Sequence, residues 1–420
     1  MTETRSVRAY ADVALGRQRS PQNETGPHMV RYLRAANVKD GSLDLTDVKE
    51  MNFEPSEQER FALRPGDVLV TEGSGSITSV GASAVWRSEL EGVVCFQNTL
   101  LRLRPRPSTD ERFLAWWCRH AFASGLFASV STGANIFHLS AERLRTLPMT
   151  YLPLSRQRSI ADFLDAETAR IDAIAHRKDE LAQMLLSRWA TNLCSTLLPG
   201  GLDSAAGRPR QAGWPVRPLR RLLAKSWGGD WGDEPGENDA ELPCVRAADF
   251  DFVRLCATTG ASRSFTLASA SARCLQPGDL VIEKSGGGEG VPVGRVVAWR
   301  GEGRAVPTNF AGGLRPGSDV DPDFLLLALR AAYEVGLPWR SIKQTTGLQN
   351  LDLGHYLSHY WPVPSRPEQT AIARDLLSEL ERVLAVQLKL REQITLLQEH
   401  RQALITAAVT GDLQVPGVAA

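Results

Sequence analysis

The chain has 420 residues, 43% of them hydrophobic and 23% charged, with a formal net charge of zero. That length holds two or three domains with separate cores, and no run of about 18 apolar residues is present to span a membrane. Zero net charge argues against a protein that coats nucleic acid over its whole surface, but leaves local basic patches open.

The start, Met1 to Arg8, is polar and lacks the apolar core of a signal peptide, so a cytoplasmic location is expected. The cysteines Cys95, Cys118, Cys194, Cys244, Cys256 and Cys274 form no C-x-x-C pair and read as reduced thiols. Seven lysines stand against 41 arginines. Arginine suits bidentate contacts to guanine and phosphate, although a GC-rich coding sequence gives the same bias.

In chain order, residues 1–154 read as a first mixed domain. Val68-Leu-Val70 is a short strand after a Pro-Gly-Asp turn and runs into the loop Gly73-Ser-Gly-Ser76. Val93 to Leu103 is a further strand, and Phe113 to Phe122 a short helix. Next comes a long helix, 155–197. It lacks Pro and Gly from Arg156 to Leu193, and Ile160, Leu164, Ile171, Ile174, Leu181 and Leu185 mark one narrow apolar seam. Residues 198–213, rich in Gly, Pro and small side chains, read as a linker.

Residues 214–365 repeat the first domain. Leu63-Arg-Pro-Gly-Asp-Val-Leu-Val70 matches Leu275-Gln-Pro-Gly-Asp-Leu-Val-Ile282 at an offset of 212. Tyr32-Leu-Arg-Ala-Ala-Asn-Val38 matches Cys244-Val-Arg-Ala-Ala-Asp-Phe250 at the same offset. Asn98 with Leu103-Arg-Pro105 matches Asn309 with Leu314-Arg-Pro316 at 211, and Gln157-x-x-Ile-Ala161 matches Gln369-x-x-Ile-Ala373 at 212. Four matches in one order make a duplicated unit, too long for a solenoid repeat. A second long helix, 366–412, starts near Ser365 and Pro367 and stops at Gly411; 413–420 is a tail. Its stripe is Ile372, Leu376, Leu380, Val383, Leu390, Ile394, Leu397 and Leu404.

The expected fold class is therefore α+β: two similar domains, each followed by a long helix. A long helix with one apolar stripe needs a partner. The two are expected to pack as an antiparallel coiled coil with pseudo-two-fold symmetry, the alternative being that each packs on its own domain.

Chemistry-bearing motifs are missing. There is no G-x-x-x-x-G-K-[ST] loop, no Asn-Pro-Pro-aromatic or Asp-Pro-Pro-aromatic motif and no nucleophile elbow. Gly286 to Gly290 leads into Val291-Pro292 and a strand rather than a helix N-terminus. Asp279, Glu283 and Lys284 suggest a nuclease set, but neighbours on a strand point to opposite faces, and Thr71 stands at the Glu283 position of the first copy. His355 and His359 lack a third metal ligand. No catalytic or metal residues are assigned.

Leu152 to Ile174, with Gln157, Ile160-Ala161 and Phe163-Leu-Asp165, resembles the conserved region of type I restriction–modification specificity subunits. Val363 to Ala373 carries the same start, then departs at Arg374-Asp-Leu376. His400 to Leu413 is similar to that family's C-terminal segment, and Ser131-Thr-Gly133 and Thr345-Thr-Gly347 to a turn late in each recognition domain. The resemblance implies a subunit with no chemistry of its own, whose two target-recognition domains each read half of a bipartite site in double-stranded DNA. It implies helices that set the spacing and dock two adenine-N6 methyltransferase subunits, joined by a motor–nuclease subunit where the system also restricts. S-adenosylmethionine, ATP and Mg would belong to those partners.

Polar loops at matching places in the two copies are the expected DNA contacts. In the first these are Ser74, Ser76, Thr132, Asn135 and His138, with Arg34; in the second Lys284, Ser285, Lys343, Thr345, Gln349 and Asn350, with Arg246. Arg34 and Arg246 could equally pair with buried carboxylates, and Trp227 and Trp231 could stack on bases or pack in the core. Competing readings are a helical scaffold with two protein-binding domains, the recognition subunit of a methylation-only system, and a nuclease acting alone.

Overall fold

A computed structural model describes residues 3–203, 207–210, 213–288, 291–344 and 348–415. Parts of the 198–213 segment, Thr345 and the Thr345-Thr-Gly347 turn lie outside the described residues. The chain is mixed helix and strand and divides into two compact units: Met1–Lys178 with Glu392–Ala420, and Asp179–Arg391. The division runs through both long helices rather than between elements.

In the first unit, β1 (Ala11–Leu15), β2 (Met29–Leu33), β3 (Lys49–Asn52), β4 (Val68–Thr71), β5 (Gly73–Ser74), β6 (Ser83–Val85), β7 (Val94–Phe96) and β8 (Leu100–Pro105) precede α1 (Glu111–Ala123) and β9 (Phe137–His138). One antiparallel sheet has the order β1-β8-β4-β6, and a second the order β7-β2-β3 with β7 parallel to β2. The long helix α2 spans Leu154–Leu197.

The second unit repeats this plan with β10 (Leu223–Gly228), β11 (Ala240–Val245), β12 (Cys256–Ala257), β13 (Ala261–Phe265), β14 (Leu280–Glu283), β15 (Ser285–Gly286), β16 (Val296–Trp299), β17 (Val306–Pro307), β18 (Ala311–Pro316), α3 (Pro322–Glu334), β19 (Ile342–Gln344), β20 (Gln349–Leu351) and α4 (Arg366–Thr410). Its larger sheet, β10-β18-β14-β16-β12, has the order of the first copy with β12 added at the edge. The smaller one is β13-β11-β17.

The repeated motifs have structural reasons. Asp67 closes its turn by accepting from the Arg64 amide at 2.7 Å and takes a two-pronged pair from Arg104 at 2.8 and 2.7 Å. Asp279 does the same with the Gln276 amide and with Arg315 at 2.9 and 2.6 Å. In each copy the Pro-Gly-Asp turn is thus pinned to the Leu-Arg-Pro strand across the sheet, a charge-assisted bond in a partly dry site. Asp110 and Asp321 cap the helices α1 and α3, each carboxylate accepting two backbone amides.

Gln157 and Gln369 sit at the base of the long helices and are 1% and 2% exposed. The Gln157 Oε1 accepts from the Asp110 amide at 3.0 Å, while its Nε2 donates to the Leu152 and Ser108 carbonyls. Gln369 repeats this with the Asp321 amide at 2.8 Å and the Pro364 carbonyl. A buried amide satisfied on both ends fixes where each long helix begins relative to the helix cap of its own domain.

Within each unit the two long helices run antiparallel. In the first, Ile160, Ala161 and Leu164 share a core with Ile405, Ala408 and Val409, Arg401 pairs with Asp172, and Lys178 bonds Gln393. In the second, Trp189 and Leu193 pack with Ala373, Leu376 and Leu380. There the Trp189 indole donates to the Leu376 carbonyl, and the Gln387 side chain to the Ala182 carbonyl.

The α2 seam differs from the expected one in its middle. Ile174 and Leu181 are exposed, whereas Ala182 is buried and Ala175 and Lys178 are half-buried. From Ile171 the buried face steps by four, three and four, the period of a paired helix. Ile174 and Leu181 each lie one residue off that line, about 100° round the helix. No helix among the described residues is long and apolar enough to cross a membrane, and all six cysteines are free, burial raising the Cys95 and Cys244 thiols to about 12.

Gln157→Ala and Gln369→Ala each strand a buried amide and a carbonyl. Each is expected to cost about 1–3 kcal/mol, read as a lower urea midpoint for that unit by hydrogen exchange.

Candidate nucleic-acid interface

The Gly/Ser loop after the central strand and the loop late in each domain meet in a short hairpin-like pairing. In the first unit, Phe137 pairs with Ser74 and His138 with Gly73. Thr132 and His138 exchange backbone bonds at 3.1 and 2.8 Å, and the Leu139 amide donates to the Glu72 carbonyl. Ser74, Thr132 and His138 are thereby brought together. Ser76 follows, its amide donating to the Ser74 Oγ and its hydroxyl 2.7 Å from that of Thr78, while Asn135 is exposed in the same loop. His138 Nδ1 lies 3.2 Å from a Glu72 carboxylate oxygen.

Gly133 makes the turn possible. Its φ is +133°, and a Cβ there would lie 1.8 Å from the Ile136 carbonyl oxygen. Only glycine fits both the dihedral and the contact.

The second unit builds a three-stranded version, β15-β20-β19, in which Asn350 pairs with Ser285 on one side and Lys343 on the other. The Ser285 hydroxyl donates to the Asn350 Oδ1 at 2.6 Å, and Lys343 reaches Asp352 at 2.7 Å. The Leu351 amide donates to the Lys284 carbonyl, the same anchor as Leu139 on Glu72. Lys284 is half-buried. Gln349 turns inward at 7% exposed, its Oε1 accepting from the Val293 amide and its Nε2 facing the Gly288 carbonyl.

The two arginines belong to neither set of hairpin strands, each heading a 3-10 turn, Ala35–Asn37 or Ala247–Asp249. Arg34 pairs with Asp47 at 2.6 Å, and Lys49 pairs with the other oxygen of Asp47. Those bonds, the Lys49 one foremost, hold Asp47 below the ordinary carboxylate range. Arg246 grips Asp249 with two bonds at 3.0 and 2.8 Å. Burial pushes Asp249 up, but the Arg246 side-chain and backbone bonds outweigh it and leave the group lowered.

Each arginine also lines a groove at the same place in its copy. The first groove, about 520 Å³, includes Arg19, Arg34, Lys49, Gln97 and Thr99. The second, about 670 Å³, includes Trp231, Arg246, Ser285, Asn309, Phe310 and Leu348, so Arg246 and Ser285 share it. Trp227 packs in the core with its indole donating to the Arg273 carbonyl, whereas Trp231 is exposed with the Arg263 guanidinium over its ring. Sequence reading missed Arg19, Lys49, Phe310 and Leu348; only folding gathers them, and no local motif marks them.

The acids of the nuclease reading are committed elsewhere. Asp279 is held by Arg315, and Glu283, buried at 2%, by Arg295 at 2.9 and 3.1 Å. His355 and His359 share the buried Ser341 hydroxyl, and burial, followed by the nearby His355 and Arg340, lowers His359.

No protein-family model matches the chain. It is 28% identical over 224 residues to the StySPI type I restriction enzyme specificity subunit of Salmonella potsdam, covering 52% of this chain and 46% of that protein. It is 28% identical over 158 residues to the EcoKI specificity subunit of Escherichia coli K12, covering 36% and 32%. The chain thus spans less than half the length of these curated relatives. A solved chain from work on complex assembly and conformational transition of the type I R-M system superposes with a TM-score of 0.71 at 18% identity, covering 98% of both chains. The chain resembles type I specificity subunits in sequence and has their fold. The HsdS subunit from Thermoanaerobacter tengcongensis superposes at 0.54, with 20% identity and coverage of 98% and 97%.

Gly133→Ala is expected to break the Thr132–His138 pairing while leaving the cores intact. Amide exchange at Thr132 and His138 should accelerate at least tenfold, with global unfolding little changed.

Proposed function

We propose that this chain is the DNA-reading subunit of a type I restriction–modification system. One observation carries the reading: each of two copies in one chain presents a short strand pairing with polar side chains and has a groove lined by an arginine at a matching position. A strand ribbon of this width fits the major groove, where side-chain amides, hydroxyls and arginines distinguish base pairs. Charged neighbours such as Lys343 and Arg19 would contact phosphates and set register. Each unit then reads one half of a bipartite target in double-stranded DNA.

The long helices fix the separation of the half-sites and dock two adenine-N6 methyltransferase subunits. Exposed Leu181, Met184, Val386 and Leu388 on the helices of the second unit supply apolar surface suited to a protein partner. The chain itself performs no catalysis in this reading. S-adenosylmethionine belongs to the methyltransferase, ATP and Mg to a motor–nuclease subunit in a restricting system, and the complex works on chromosomal DNA in the cytoplasm.

Deleting the gene should erase adenine methylation at one two-part motif with a fixed spacer, read by methylome sequencing. An unchanged methylome would refute the function. Exchanging residues 1–150 for those of a related subunit should change one half-site and leave the other intact.

A further inference from the structure

We infer that Ile136 and Leu348 are paired specificity residues, each packing on a thymine methyl group in its half-site. The inference rests on the DNA-reading function above. Strand register makes the two positions equivalent: Gly73 faces His138 and Ser285 faces Asn350, each pair preceded two residues earlier by the aliphatic residue. Ile136 and Leu348 are 212 residues apart, the offset of the duplication. They are 54% and 52% exposed and belong to neither unit's core.

A lone exposed aliphatic side chain needs no explanation. The same exposure at one register position in both copies, beside the polar strand residues Ser74, His138, Ser285 and Asn350, does. The backbone there is held: Gly133 lies against the Ile136 carbonyl, and Leu139 and Leu351 are anchored to Glu72 and Lys284. A base edge in the major groove offers donors, acceptors and a single apolar group, the thymine C5-methyl. Serine, asparagine, histidine and lysine beside the aliphatic tip match the former; Ile136 and Leu348 match the latter at the register position the two copies share. In the second unit Leu348 shares its groove with exposed Trp231 and Phe310, whereas Thr99 lines the first groove, so the apolar reading is broader there.

The test uses the complex of the full chain with its methyltransferase subunits on a duplex carrying the methylated motif. Thymines are replaced singly by deoxyuridine, which removes only the methyl. One replacement in each half-site should weaken binding about fourfold, the effect of one buried methyl-sized group. Ile136→Ala should match that loss and become indifferent to deoxyuridine in one half-site, and Leu348→Ala in the other. If the complex prefers the motif but no deoxyuridine matters, the thymine contact is overturned and DNA reading stands. Weakening by the alanine variants without deoxyuridine sensitivity also overturns it, pointing to a wedge between base steps. If the complex shows no preference for the motif, both readings fall.

Discussion

Two buried glutamines hold the architecture together. Gln157 and Gln369 each join the cap of a domain helix to the first turn of a long helix, with both ends of the amide satisfied inside the protein. An amide at that depth tolerates little movement, because each broken bond leaves a polar group without water. The start of the long helix is therefore fixed against the sheet that carries the short paired strands. The short paired strands and the start of the long helix are thereby tied to one frame within each unit.

Much of this was legible from residues alone. The duplication was visible because its markers are structural: the Pro-Gly-Asp turns and Leu-Arg-Pro strands pair through Asp67–Arg104 and Asp279–Arg315, so neither half can vary alone. The long helices were visible from their period. The middle of the seam was not, because Ala175, Lys178 and Ala182 occupy it, and large apolar neighbours one residue away drew the line instead. The polar loops that meet in each unit were legible as Gly/Ser-rich segments in matching places. Which of their side chains face outward was not, since Gln349 points inward while its neighbour Asn350 bonds Ser285.

The two grooves illustrate how duplication permits divergence. A shared Arg-Ala-Ala corner supports both, yet the first is lined by Arg19 and Lys49 and the second by Trp231 and Phe310. The frame is set by buried pairs and caps, while the residues that differ between the grooves, Arg19 against Trp231 and Thr99 against Phe310, lie outside both cores. Such positions can change with little effect on stability, so one scaffold can carry two different surfaces.

The border between the units has a consequence for biogenesis. The first unit's core is closed by Ile405, Ala408 and Val409, near the end of the second long helix. While the ribosome is still making the second domain, Ile160, Ala161 and Leu164 pack only against the first domain and lack the cover of that late segment. The second unit, contiguous from Asp179 to Arg391, has all its residues before the first does. The nascent chain thus inverts the usual order in which the N-terminal part matures first, and its oldest segment waits longest with an open apolar flank.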